Sequence, residues 1–122
     1  MKEPGPDHPI TITPNSRRVR VEIHGHVIAD TAEALTLKEA DYPAVQYLPR
    51  KDVEMGFFGP TEHRTHCPYK GDASYFTTKI DGEVLENVAW SYETPFPAME
   101  QIRGMLAFYT NRVRVYEVDP SV

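Results

Sequence analysis

The amino-acid sequence predicts a mainly β protein: one domain of short twisted sheets, with a single short helix near residues 97–104. Three observations lead there. Apolar β-branched residues recur at every second position, most clearly in "RRVRVEIHGHVIADT", where Val19, Val21 and Ile23 share one face and Arg18, Arg20 and Glu22 the other. Prolines outnumber glycines 11 to 7 among 122 residues, a punctuation that favours chain reversals over long helices. Asp81-Gly82 lies between two β-type runs, and this pair adopts the positive φ of a two-residue hairpin turn at little cost.

Residues 1–16, rich in proline and polar residues, predict an extended, partly ordered arm in which "PITITP" alternates like a short edge strand. The domain proper then runs over residues 17–119. Gly25 reverses the first long strand, and Val27 to Asp30 return from it. "EALTLKEA" and "PAVQYLP", about ten residues apart with "DYP" between them, have the spacing of a sheet meander. "FFGPTEHR" reads as a Gly-Pro loop leading into "THCPYKGDASYF". Pro97 suits a first helical position and Gly104 a C-terminal cap, which defines the short helix. Past Gly104 two patterns compete. Met99, Ile102, Met105, Leu106 and Tyr109 fit a helical stripe, whereas "LAFYTNRVRVYEV" reads as two strands hinged at Thr110-Asn111; the strand character of "VRVYEV" favours that hairpin.

Composition narrows the functional classes. A net charge of −5 gives no general attraction to nucleic acid or to an anionic membrane, both of which require clustered Lys and Arg. The one basic run, Arg17-Arg18-Val19-Arg20, is a solvated strand face. A single cysteine excludes an internal disulfide and a four-cysteine zinc site, as expected of a reduced, cytoplasmic protein. No apolar run approaches the roughly 20 residues of a membrane span, and "MKEPGPD" contains no hydrophobic signal core.

The stretch "THCPYKGDASYF" carries the densest chemistry. Pro68 fixes its own φ and holds Cys67 extended, so the chain enters as strand and turns at Pro68-Tyr69, bringing Cys67, Tyr69 and Lys70 to one bend. A neighbouring Lys or protonated His favours thiolate over thiol, so Cys67 beside His66, His63 and Lys70 is a candidate nucleophile, with Tyr69 as an alternative. Against this, free cysteines are often simply small buried residues, and no base held by a third group is evident. A metal site from His63, His66 and Cys67 lacks a helix to gather its i, i+3 histidines, and His24 and His26, at i, i+2 around Gly25, either share a strand face or merely flank a turn. Asp52-x-Glu54 and Asp81-x-Glu83 have the spacing of Mg²⁺-holding carboxylates, but the second is explained by its turn. Neither a metal nor a cofactor is implied. No Gly-rich phosphate loop, Gly-Ser plus Asp-x-Asp pattern or serine elbow is present. What remains is an aromatic and cationic set: Tyr47, Arg50, Tyr69, Lys70, Tyr75, Trp90, Tyr92, Phe108 and Tyr109. Trp90 and Tyr92 alternate onto one strand face with polar tips, suited to a pocket wall.

"RTHCPYKGDASYF", "ENVAWSYETPFP", "IRGMLAFYTNRVRVYEV" and the preceding "ADYPAVQYLPRKDVEM", in this order, resemble the DUF427 family, small bacterial and fungal domains of unknown function. The resemblance spans residues 8 to 118. It implies a β-tent-like architecture similar to the Mss4-like proteins, without their paired zinc cysteines. The family is also labelled nucleotidyltransferase-like, a label for which these residues supply no mechanism. Its signature positions include Tyr47, Pro49, Arg50, Asp52, the run His66 to Gly71, Trp90, Tyr92, Pro95, Phe108 and Tyr109.

The leading expectation is a domain that binds a small polar or anionic ligand in a pocket formed by Tyr47, Arg50, Tyr69, Lys70, Trp90 and Tyr92. A second is an enzyme using Cys67 or Tyr69, with Lys70 lowering its pKa and His66 or His63 moving protons. A third is an interaction module forming a homodimer through a strand edge or an aromatic face.

Overall fold

The computed structural model describes residues 1–119. Among these residues ten strands form three antiparallel sheets that do not close into a barrel, and the helical content is three short 3-10 turns. The strands are β1 (Ile10–Pro14), β2 (Arg18–Ile23), β3 (His26–Thr31), β4 (Leu35–Glu39), β5 (Val45–Tyr47), β6 (Phe58–Cys67), β7 (Gly71–Ile80), β8 (Glu83–Ser91), β9 (Ala107–Phe108) and β10 (Arg114–Val118). They assemble in the orders β1-β4-β5, β10-β2-β3 and β6-β7-β8-β9.

Both hairpins read from glycine occur. His24-Gly25 and Asp81-Gly82 each have two successive positive φ values, 50° and 80° in the first pair and 51° and 80° in the second. The alternation of β2 holds as well, with Val19, Val21 and Ile23 buried and Arg18, Arg20 and Glu22 half-buried on the other face. The meander is observed as β4 pairing with β5, with Leu35 opposite Tyr47. The arm is only partly an arm, because β1 pairs along its whole length with β4 and Ile10 and Ile12 pack into the core.

Two expectations are corrected and one, the short helix, is found and refined. "FFGPTEHR" is not a loop: from Phe58 onward it is the first half of β6, an edge strand on which Pro60 needs no donor and where a bulge between Pro60 and Arg64 absorbs the irregularity. The helix near 97–104 is a 3-10 segment over Pro97–Ile102 with a kink at Met99 (φ −111°); it buries Met99 and Ile102, and a three-residue spacing eclipses side chains in 3-10 geometry. The strands flanking Thr110-Asn111 exist but do not pair with each other. β9 pairs with β8, and β10 crosses to β2 with Val115 opposite Val21. A period of two marks a strand but not its partner.

The four-stranded sheet has a core on each face. On one, Phe76, Ala89 and Phe108 meet Val19, Val21 and Ile28 of the β2–β3 sheet, with Leu48, Val88 and Leu106 wholly buried. On the other, Tyr75, Tyr92 and Ala107 meet Leu37 and Tyr47 of the β4–β5 sheet. Each fully buried aliphatic side chain contributes about 1.5–3 kcal/mol. The second core differs in containing three buried tyrosines, Tyr47, Tyr75 and Tyr92.

Candidate functional site

The site begins at the turn between β6 and β7. Cys67 ends β6, and Gly71 starts β7 at φ +110°, a value that disfavours any residue with a Cβ. An added Cβ would also touch the backbone of Thr94, Pro95 and Phe96 at 3.5–3.6 Å, and Phe96 N–H donates to the Lys70 carbonyl at 3.0 Å. The turn is thereby pressed onto the 94–96 segment, and Lys70 is directed inward.

Lys70 is 7% exposed and its ammonium donates to Glu39 Oε1 at the end of β4. Glu39 Oε2 lies 2.7 Å from His8 Nε2, and the His8 ring stacks flat on Tyr69 with centroids 4.0 Å apart and planes 8° apart. Burial opposes ionisation of Glu39, but the hydrogen bonds from Lys70 and His8 outweigh it and hold its pKa below the ordinary carboxylate value.

Above this charged base stands a cavity of about 290 Å³ walled by Leu37, Pro43, Val45, Tyr47, Tyr75, Trp90, Tyr92 and Tyr109, with Tyr42 at its side. It shares Tyr42, Pro43, Val45, Trp90 and Tyr109 with an outer groove of about 540 Å³ that runs along Thr110, Asn111 and Val115 to Glu117. Trp90 Nε1–H donates to the Tyr47 hydroxyl at 3.2 Å, and the Trp90 and Tyr109 rings lie 4.7 Å apart. Tyr109 donates to the Tyr75 hydroxyl at 3.4 Å, which is 2.9 Å from Thr65 Oγ1. Burial pushes the Tyr47 and Tyr92 phenols well above their ordinary value, and burial together with the Tyr75 hydroxyl raises Tyr109 to about 12. All three are therefore neutral hydrogen-bonding groups at physiological pH.

Of the residues expected to form a pocket, Tyr47, Lys70, Trp90 and Tyr92 come together. Tyr69 stands behind the base as the platform for His8. Arg50 is elsewhere: its guanidinium pairs in bidentate fashion with Glu93 (3.0 and 2.7 Å) and covers Phe76, on the opposite face of the sheet. Arg50 in turn holds the Glu93 carboxyl below its ordinary pKa. His66 lies on the outer face of β6, its Nδ1 2.7 Å from Asp72, whereas Cys67 packs inward against the tyrosine core. Of the candidate catalytic residues, His66 is thus engaged with Asp72 and Tyr69 with His8, while Cys67 and Lys70 both face inward. His63 meets the edge of Tyr75, with centroids 4.6 Å apart. Among the described residues no three His, Cys, Asp or Glu side chains gather to hold a metal ion, and no helix is long and apolar enough to cross a membrane.

Glu39, His8 and Tyr42 were missed from sequence. For Glu39 a signal existed: Leu35, Leu37 and Glu39 share one face of β4, which places a carboxylate at an inward-facing position.

Residues 11–119 match a domain of unknown function, DUF427. The chain belongs to the DUF427 family. No curated protein matches it. Every residue lining the cavity falls within the DUF427 span, and only His8, which completes the charged base, precedes it.

Proposed function

We propose that this DUF427 domain binds a small polar or anionic molecule in the cavity between Glu39–Lys70 and Trp90. The observation that carries the reading is the buried ion pair at the inner end of an aromatic pocket. Two charges withdrawn from water cost more than an apolar pair of the same volume, and that expense is understandable where a ligand must be oriented. Aromatic walls supply contact area, and the fixed polar groups supply direction. We further read the three sheets as β-tent-like and the protein as cytoplasmic, in keeping with its single cysteine. A catalytic role for Cys67 has less support, because His66 and Lys70 are engaged with Asp72 and Glu39 rather than with the thiol.

A thermal-shift screen of metabolites tests the proposal. Ligand at 100 times its Kd stabilises the folded state by about 2.7 kcal/mol, which raises Tm by roughly 10 °C in a domain of this size. A genuine hit also perturbs the fluorescence of Trp90, the only tryptophan. Hits that stabilise the protein yet leave Trp90 fluorescence unaltered, and bind Trp90→Ala equally well, place the site elsewhere.

A further inference from the structure

The hydrogen-bonding capacity left open inside the cavity centres on the Lys70 ammonium and two phenol hydroxyls. Tyr92 lines the cavity and is 6% exposed, and its hydroxyl has no hydrogen-bond partner among the described residues. Lys70 has three N–H donors, of which the structure engages one, with Glu39. The Tyr47 hydroxyl accepts from Trp90, which leaves its own proton without a protein acceptor. Glu39, the one carboxylate lining the cavity, already receives Lys70 on one oxygen and faces His8 on the other. The pocket therefore offers a donor-only ammonium flanked by two hydroxyls free to donate. Among the described residues the Ser91 hydroxyl is the only buried side-chain polar atom without a partner, so these groups are left to water in the free protein, and a head that brings acceptors can replace that water.

Resting on the reading of this cavity as a ligand site, we infer that its ligand is a flat ring compound carrying a carboxylate or carbonyl head. The head receives hydrogen bonds from Lys70, Tyr92 and Tyr47, and the ring lies against Trp90 and Tyr109 with Pro43 and Val45 along its edge. Because Glu39 already neutralises Lys70, the head is selected by donor geometry rather than by net charge. A carboxylate, accepting a charge-assisted bond from Lys70, binds best; a neutral amide carbonyl binds less well; an ammonium head, which Lys70 cannot bond and which finds only phenol oxygens and an already paired carboxylate, binds least. The high pKa of the Tyr47 and Tyr92 phenols keeps both protons in place across the physiological range.

The test uses three probes of one shape, 2-naphthoate, 2-naphthamide and 2-naphthylmethylamine, titrated into the full chain. The single Trp90 indole N–H resonance serves as reporter. The expected result is that naphthoate moves this resonance and binds at least tenfold more tightly than the amine, with the amide between them. Tyr92→Phe removes a hydroxyl that has no partner in the free protein, so it is expected to keep its Tm while losing about tenfold in naphthoate affinity. An amine that binds as tightly as naphthoate, or a Tyr92→Phe protein that has lost no affinity, overturns the acceptor-head assignment; movement of the Trp90 resonance in the same titrations leaves the cavity standing as the site. If none of the probes moves that resonance while a screening hit does, the ligand class is again wrong and the pocket right. A hit that stabilises the protein without moving Trp90 removes both.

Discussion

The two faces of the four-stranded sheet make a natural experiment in what a core is for. Adjacent residues of the same strands supply both: Tyr75 and Phe76 in β7, Ala89 and Trp90 in β8, Ala107 and Phe108 in β9. Towards the β2–β3 sheet the side chains are aliphatic or phenylalanine and the packing is sealed. Towards the β4–β5 sheet they are tyrosine and tryptophan, and a cavity opens among them over a buried ion pair. An aliphatic face has nothing to offer but exclusion of water. A face of polar-tipped rings gives up packing density and gains hydrogen-bonding groups at fixed positions, and that difference separates the stabilising half of this domain from its candidate site.

The contrast is broken most severely in the sealed half. Leu48→Ala empties a wholly buried position and is expected to destabilise the protein by about 3 kcal/mol, measured by urea denaturation, without selective effect on the pocket. In the pocket half the largest effect comes from Lys70→Met, which leaves Glu39 ionised and unpaired except for His8. The loss should be about 2 kcal/mol, short of the figure for a fully enclosed pair because the cavity admits water to the carboxylate. Adding Glu39→Gln should recover most of it, and failure of the double variant to recover stability would show that the lysine acts through packing rather than charge. Tyr47→Phe, which strips the acceptor from Trp90, should cost about 1 kcal/mol, whereas Tyr92→Phe should lie within roughly 0.5 kcal/mol of the parent.

Acid gives the gentlest test. Glu39 and Glu93 both have folded pKa values below their ordinary 4.5, so their stabilising contribution is complete above about pH 4.5 and is lost as pH falls through the lower folded values. The effect of Glu39→Gln on melting temperature should therefore be smaller at pH 3 than at pH 6. Equal effects at both values would remove the electrostatic account.

The strands were legible because burial on one face imposes a period of two, and the hairpins because Gly25 and Gly82 follow His24 and Asp81 at positive φ. Partners were not legible. "VRVYEV" carries no mark saying that it joins β2 rather than the strand before it, since pairing over that distance is decided by which apolar faces meet. In the site, Trp90, Tyr92 and Lys70 could be named from residue type and alternation. Arg50 could not be excluded, because its neighbour in space, Glu93, lies 43 positions along the chain. His8 was hidden for the same reason: it reaches Glu39 across 31 positions, from a segment whose composition reads as an arm.

The pairing of β2 with β10 has a temporal consequence. Glu22 and Arg114 are neighbours in the sheet but 92 positions apart, so β2 emerges from the ribosome several seconds before the strand that completes it, at roughly 5–20 residues per second. Through that interval one of its edges lacks its native partner, and final closure must overcome the entropy of a long loop. Folding of this domain is thus expected to be limited by arrival of its last strand. The alternation of Arg18, Arg20 and Glu22 along β2, which looks like mere surface in the finished fold, gives the waiting edge the charge that discourages pairing with another chain.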